Sequence, residues 1–327
     1  MNFHLEFSPK PFSIKIKHSD KLLLAGSCFT EHIGEKLNQH KFSVLENPNG
    51  ILFNPVSICK SVQSYIDNKQ YTAADLFQLN DSWNSWEHHS RFSAVDQNES
   101  LQKINNSQST AHDFLKKADW LLLTLGSAFV YELDNKQVVA NCHKVPADKF
   151  NKRLLSADEI SNDLKKLIER LQSFNPGLKI IFTISPVRHL REGFVENNRS
   201  KATLIQAVHQ LLNDEDRLFY FPAYELVIDD LRDYRFYAED MVHPNYAATN
   251  YVWEKFIAAC IDEPSKEIMK QVNDIRIAFN HKPFNPSSAE HKKFLQSYFE
   301  KTKLLAERLP YIDLQRELKY FSVESNV

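Results

Sequence analysis

Short apolar runs alternate with amphipathic segments along most of the chain. The runs at 21–25 (KLLLA), 118–124 (ADWLLLT) and 178–184 (LKIIFTI) predict buried strands, and shorter runs at 43–45 and 217–220 predict two more. Between the strands, apolar spacing and capping signals predict helices over 29–39, 55–68, 156–174, 200–212 and 245–261. This order predicts an α/β fold with a parallel sheet covered by crossover helices.

Two regions depart from that alternation. The segments 130–132 and 137–140, on either side of Asp134-Asn135-Lys136, predict a β-hairpin inserted after the central strand. From Glu263 onward the pattern changes to long charged helices, the clearest over 290–309. We therefore expect a catalytic α/β domain at 1–262 and a C-terminal helical extension at 263–327 that packs on it.

Composition and charge narrow the class of protein. The 327 residues carry 40 Lys+Arg against 42 Asp+Glu, so the net charge of −2 lacks the basic footprint expected of a nucleic-acid-binding protein. The N-terminus lacks the basic start of a signal peptide, and no apolar run approaches the ~20 residues of a membrane span. The four cysteines form no CxxC pair. These features predict a cytoplasmic protein that has reduced thiols and does not insert into membranes.

Ser27 is the first candidate for chemistry. It follows the strand 21–25 and Gly26 and precedes a predicted helix, so it lies at the carboxyl end of a strand, where open α/β sheets bind their ligands. Free amides at the start of that helix can stabilise negative charge on a bound oxygen. The alternative is a serine that only caps the helix, and this segment by itself favours that alternative.

Asp240 and His243 favour a catalytic role for Ser27 over a role in helix capping alone. The spacing D-x-x-H, in a loop just before the last helix of the α/β region, lets the carboxylate accept a hydrogen bond from one ring nitrogen. The other nitrogen is then free to take a proton from a serine hydroxyl. Together with Ser27, the pair predicts a nucleophile, a base and an orienting carboxylate.

Several sequence blocks resemble the GSCFA-domain family, a branch related to the SGNH or GDSL hydrolases. The resemblance extends over roughly 12–261 and rests on GSCF at 26–29, NPNGILFNP at 47–55, TLGSAFVYE at 124–132, NCHK at 141–144, SPVRH at 185–189 and DLRDYRFYAEDMVHP at 230–244. It implies a flavodoxin-like three-layer α/β/α sandwich with Ser27 as nucleophile and Asp240 and His243 completing a triad. The implied activity is that of a serine esterase or acyltransferase, with a carbohydrate O-acyl ester as a plausible substrate and no cofactor.

The wider hydrolase group also uses a glycine in the second block and an asparagine in the third to bind the oxyanion. By this resemblance the Ser27 and Gly50 amides are two of the donors, whereas Ala128 stands where the asparagine is expected. We expect Asn141 or His143, carried back toward the sheet by the inserted hairpin, to supply the missing donor.

Other polar residues could contact the substrate. His89 could line the pocket, and Arg188 could anchor a polar group of the substrate or pair with Asp230 or Asp233. One rival hypothesis is a metal hydrolase that uses His88, His89, His143 and Asp240, although their spacing matches no familiar metal site. Another is a binding protein that keeps the fold without turnover. The sequence does not give the oligomeric state.

Overall fold

A five-stranded parallel sheet forms the centre of the computed structural model, which describes residues 5–212 and 216–324. The strands of the described part are, in chain order, β1 (Lys21–Gly26), β2 (Ser43–Glu46), β3 (Phe77–Leu79), β4 (Ser82–Asn84), β5 (Trp120–Leu125), β6 (Phe129–Glu132), β7 (Asn151–Leu154), β8 (Lys179–Ile184) and β9 (Leu218–Tyr220). The sheet order β2-β1-β5-β8-β9 is that of flavodoxin-like folds. The predicted fold class is confirmed, and the carboxyl ends of all five strands lie along one edge.

Helices cover both faces of this sheet, and the last three helices of the described chain share a hydrophobic cluster of their own. They are α1 (Cys28–Gln39), α2 (Pro55–Asp67), α3 (Gln97–Leu115), α4 (Ala157–Phe174), α5 (Gly193–His209), α6 (Ala223–Glu225, continued by a π-helix over Leu226–Leu231), α7 (Tyr246–Cys260), α8 (Glu263–Phe279), α9 (Ala289–Arg308) and α10 (Gln315–Glu324). None of the helices in the described ranges is both long and apolar enough to cross a bilayer.

The alternation of side chains along each strand produces two separate cores. On β1, Leu23 and Ala25 belong to a core built with α2, α3, α4 and α5, whereas Leu22 and Leu24 belong to a core built with α1 and α7. Strands buried on both faces read as continuous apolar runs, which is why β1, β5 and β8 could be recognised in the sequence.

The inserted hairpin is present, but its return strand differs from the prediction. β6 pairs in antiparallel fashion with β7, and the predicted return segment 137–140 makes a shorter antiparallel contact, with a bridge between Glu132 and Val138 and a hydrogen bond from the Val139 N–H to Tyr131 O at 2.9 Å. The turn after Leu133 does form, since the Leu133 N–H donates to Gln137 O at 2.9 Å. A polar strand with the sequence NKRL carries no apolar signal, so β7 escaped prediction.

Helix α5 begins at Gly193, seven residues before the predicted start, and ends at His209 rather than Leu212. Its first turns bury polar side chains that hydrogen-bond to neighbouring loops. Asn197 accepts from the His189 N–H at 2.9 Å, and Ser200 accepts from the Ala128 N–H at 2.7 Å. These inward polar residues interrupt the apolar period on which the prediction depended.

The C-terminal helices α8, α9 and α10 share a hydrophobic cluster of their own. They also contact the α/β part: the buried His18 N–H donates to Ser265 Oγ at 2.6 Å, and Lys41 pairs with Glu317 at 2.8 Å. The segment before β1 returns to the end of α7 through a parallel bridge between Ile16 and Ile261.

Candidate active site

Ser27 occupies the junction between β1 and α1. Its side chain is fully buried, and Oγ accepts a hydrogen bond from the Phe29 N–H at 3.3 Å. Ser27 is therefore the N-cap of α1, and the capping predicted for this serine is present. Capping uses an oxygen lone pair and leaves the hydroxyl proton free for transfer.

Gly26 allows β1 to end very close to β5. Its φ of +144° lies outside the range that other residues favour, and a Cβ atom there would meet Thr124 O at 2.2 Å. The Gly26 N–H donates to Asn47 Oδ1 at 2.9 Å, which ties the turn to the end of β2.

Asp240 and His243 form a closely bonded pair. His243 Nδ1 lies 2.6 Å from Asp240 Oδ2, and Asp240 Oδ1 accepts the Val242 and His243 N–H groups at 2.9 and 3.0 Å. These hydrogen bonds lower the pKa of Asp240 to about 2, and the bond from the His243 amide has the largest effect. Because an ionised carboxylate can only accept, the neutral His243 ring carries its proton on Nδ1, and Nε2 is a free base.

Arg188 holds the Asp240–His243 loop in place. Its N–H donates to Val242 O at 3.2 Å, its Nη1 donates to Met241 O at 3.3 Å, and its guanidinium lies 4.0 Å from the centre of the Tyr237 ring. Asp233 pairs with Arg235 at 3.4 Å, and Asp230 accepts a hydrogen bond from Tyr251 at 2.7 Å. Whether Arg188 also anchors the substrate or pairs with Asp230 stays a prediction.

The topology brings this loop toward Ser27. Arg188 follows β8 at the carboxyl edge of the sheet, where β1 also ends, and only β5 separates the two strands. Burial lowers the pKa of His32 on α1, and the charge of His243 contributes to that lowering. Within the described residues, Ser27 Oγ hydrogen-bonds only to the Phe29 N–H, and His243 Nε2 has no hydrogen-bond partner. Ser27 and His243 are therefore not hydrogen-bonded to each other. Catalytic hydrogen bonds are often long before substrate binds.

The two backbone amides expected to bind the oxyanion are occupied. The Ser27 N–H donates to Thr124 O at 3.2 Å, and the Gly50 N–H donates to Asn47 O at 2.7 Å. Both amides therefore donate within the protein, and their role in binding an oxyanion stays a prediction. Gly50 still packs closely on the predicted pocket residue His89, since a Cβ atom there would lie 2.2 Å from His89 Cβ.

Of the two proposed replacement donors, His143 does not fit. Its Nε2 bonds to Ser85 O at 2.8 Å, so in the neutral ring the buried Nδ1 has no proton to give. Its ring packs against Phe77 and Trp86, beneath the β3–β4 hairpin. Asn141 Oδ1 accepts from the His143 N–H at 2.8 Å, which leaves its amide nitrogen available, so the prediction for Asn141 stands as a prediction.

The four residues of the metal hypothesis have other partners. His88 is buried and hydrogen-bonds to Ser85 Oγ at 2.9 Å, and His89 Nδ1 accepts from the Arg91 N–H at 3.3 Å. Asp240 hydrogen-bonds to His243. In the ranges that the structure describes, no three His, Cys, Asp or Glu side chains come together in an arrangement that could hold a metal ion.

Lys201 is a residue near the site that sequence reasoning missed. Although only 1% exposed, its Nζ donates to Gly126 O and Ser185 O, each at 2.6 Å, at the ends of β5 and β8. Burial lowers its pKa to about 7. A lysine in a helical segment usually marks a solvated face, so the sequence carried no signal for this position.

Residues 21–256 match the model of the GSCFA family. The chain belongs to the GSCFA family. Residues 272–326 match the model of the GSCFA domain protein C-terminal domain, and this match includes the second half of α8 and all of α9 and α10. The resemblance predicted over roughly 12–261 is thereby confirmed, whereas the second match of this GSCFA-family chain lies outside that range and was not predicted.

Comparison with curated proteins gives no match for this GSCFA-family chain. Among solved structures, it is similar to a carbohydrate esterase family 3 protein from Talaromyces cellulolyticus and to an acetyl esterase mutant with acetate ion. Each has 12% sequence identity and a TM-score of 0.34, and each match covers 78% of this chain and 99% of the other.

Proposed function

We propose that this protein is a serine esterase or acyltransferase that acts on an O-acyl ester, with Ser27 as nucleophile, His243 as general base and Asp240 as the orienting carboxylate. The observation that carries the proposal is the 2.6 Å bond between Asp240 and His243 Nδ1, in a loop held at the edge where Ser27 lies. That bond fixes the ring tautomer that a general base requires.

In the proposed reaction, His243 Nε2 removes the Ser27 proton while Oγ attacks the ester carbonyl carbon. The carbonyl π bond breaks to give an alkoxide oxygen in a tetrahedral intermediate. Collapse expels the alcohol, which takes the proton from His243 and leaves an acyl-serine. Water completes a hydrolysis, and a second hydroxyl compound completes a transfer.

Substitution of the three residues tests the assignment. Ser27→Ala should abolish turnover of acyl esters without unfolding the protein, and His243→Ala should lower kcat on the order of 10³-fold or more. Asp240→Asn should cost somewhat less. The matched control is Ser288→Ala, which removes another helix-capping hydroxyl, 3.1 Å from the His291 N–H on α9. Near-normal turnover by Ser27→Ala would refute the proposal.

Covalent labelling provides a test that is independent of the choice of ester. Mass spectrometry after exposure to a fluorophosphonate should find one adduct on Ser27 in the native protein and none in Ser27→Ala. Exposure to a panel of acyl esters, including acylated carbohydrates, would identify the acyl group through the mass of the acyl-enzyme. Product analysis with and without added alcohols then separates hydrolysis from transfer.

A further inference from the structure

The carboxyl edge of the sheet offers few backbone donors for a developing oxyanion. The amides of the loops that meet there already donate to carbonyl oxygens within the protein: Ser27 to Thr124, Gly50 to Asn47, and Gly126 and Ser127 to Phe53 at 2.8 and 3.0 Å. A tetrahedral intermediate would carry a full negative charge at this edge, so side-chain donors become important.

His189 has an unused ring nitrogen at this edge. Its Nε2 is buried and has no hydrogen-bond partner in the part of the chain that the structure describes. A Cβ atom placed on Gly126 would lie 3.4 Å from this nitrogen, which locates it above the residue that follows β5. The Phe53 ring contacts the imidazole edge-on, with ring centres 5.4 Å apart.

Neighbouring contacts fix His189 relative to both halves of the proposed site. Its N–H is held by Oδ1 of the buried Asn197 at 2.9 Å, and the preceding residue, Arg188, binds the loop that carries His243. On the other side, Gly126 directly follows the β5 segment whose Thr124 carbonyl receives the Ser27 N–H. The imidazole therefore lies in the region between the ends of β5 and β8.

We propose that His189 Nε2–H donates a hydrogen bond to the oxyanion formed when Ser27 attacks the ester. This role rests on the proposed function. His189 transfers no proton: the Ser27 proton goes to His243, and the negative oxygen is stabilised by the hydrogen bond alone. His189 thus takes the place of the asparagine that is missing at Ala128.

The protonation state of His189 supports this role. Burial, followed by the charge of Lys201, lowers the pKa of His189 to about 4, and His243 contributes in the same direction. The ring is therefore neutral near pH 7 and keeps one N–H, which the vacant Nε2 can carry. A neutral imidazole donates without competing with His243 for the Ser27 proton.

Two substitutions at the position separate hydrogen bonding from packing. His189→Leu should lower kcat on the order of 10²-fold with little change in KM, and His189→Gln, which keeps an N–H donor, should recover at least about tenfold of that loss. The acid limb of the kcat profile should stay where it is in the native protein, because His243 is unchanged. The matched control is His209→Leu, at the far end of α5, a helix about 25 Å long, which should leave kcat unchanged.

A measurement on the native sequence covers the case in which a variant fails to fold. In the fluorophosphonate adduct of Ser27, a phosphoryl oxygen occupies the position of the oxyanion, so the His189 Nε2–H proton resonance should move downfield on labelling. Native kcat in a folded His189→Leu, or an unmoved His189 resonance in the adduct, would overturn the role of His189 while Ser27 labelling upholds the proposed function. Absence of any Ser27 adduct would instead overturn the proposed function, and this role with it.

Discussion

The residues next to Ser27 have little conformational freedom. Asn47 has a φ of 44°, donates its N–H to Leu24 O at 2.8 Å and accepts the Gly26 N–H on its side chain. Gly26 in turn lies against Thr124, so β1, β2 and β5 all constrain the turn that presents the serine. The position of Ser27 is set by backbone contacts that the sequence shows only as a glycine and an asparagine.

Replacement of Gly26 tests this constraint. Gly26→Ala should cost more than about 3 kcal/mol of unfolding free energy, or prevent folding, because its Cβ would overlap Thr124 O and its φ is unfavourable. Urea unfolding measures the difference. The control is Gly177→Ala, where the nearest atom to a Cβ would be Asn175 Oδ1 at 3.7 Å; a similar loss in the control would show that the contact with Thr124 is not the cause.

Residue-level prediction worked where partners are close in sequence. Asp240 and His243 are three residues apart, so their pairing could be predicted from spacing alone, and the structure shows it. His189 and Lys201 lie against Gly126, more than 60 residues earlier in the chain, and no local sequence pattern predicts such contacts. The hydrogen bonds that the Gly50 and Ser27 amides donate to Asn47 and Thr124 could not be predicted either, because turn hydrogen bonds cannot be read from residue type.

At the scale of elements, the β3–β4 hairpin is held by a small aromatic cluster around His88. The ring lies between Tyr71 and Phe92, with centres 4.8 and 5.3 Å away, and bonds to Ser85 Oγ. Burial lowers the pKa of His88 to about 3. The hairpin therefore depends on a histidine that stays neutral at pH values where an exposed histidine is charged.

This histidine should make the protein sensitive to acid. Below about pH 6.5 the unfolded chain protonates His88 while the folded protein does not, so stability falls as pH decreases toward the folded pKa of about 3. Between pH 7 and pH 5 the loss from this residue should be about 2 kcal/mol. Urea unfolding of His88→Asn at the two pH values should show a correspondingly smaller drop. The same substitution at the exposed His281 should leave the drop unchanged; an undiminished drop in His88→Asn would contradict the assignment.

Elements buried on both sides were the easiest to predict, and polar ones the hardest. β1, β5 and β8 differ from their predicted bounds by at most two residues, and the capping box of Ser156 and Glu159 opens α4 as expected. The polar strand β7 and the first turns of α5 were missed because their hydrogen bonds, rather than apolar side chains, hold them in place.

At the scale of the whole molecule, we propose that the α/β unit ends at residue 262 and that 263–327 form a helical extension. The two family matches, at 21–256 and 272–326, fall on either side of this boundary, and Asp262 caps α8. Contacts such as that from His18 to Ser265 cross it. Met269 of α8 also belongs to the core formed with α1 and α7. We therefore expect the two parts to unfold together.

Ser265→Ala tests this coupling. It leaves the buried His18 N–H without its acceptor, and should lower the unfolding free energy by about 1–3 kcal/mol while keeping a single transition. Circular dichroism during urea unfolding gives both quantities, and Ser287→Ala, an exposed serine just before α9, serves as the control. Two separate transitions in the native protein would show that the parts are independent.

The strand order has a consequence for how the protein emerges from the ribosome. After β1 and β2 have paired, β5, β8 and β9 can each join the edge left by the previous strand in the order in which they are translated. Ser27 is made early, but its proposed base arrives only with His243, and the segment around Ile16 must wait for Ile261. A nascent chain can thus assemble its sheet vectorially while the proposed nucleophile has no base until most of the polypeptide has been synthesised.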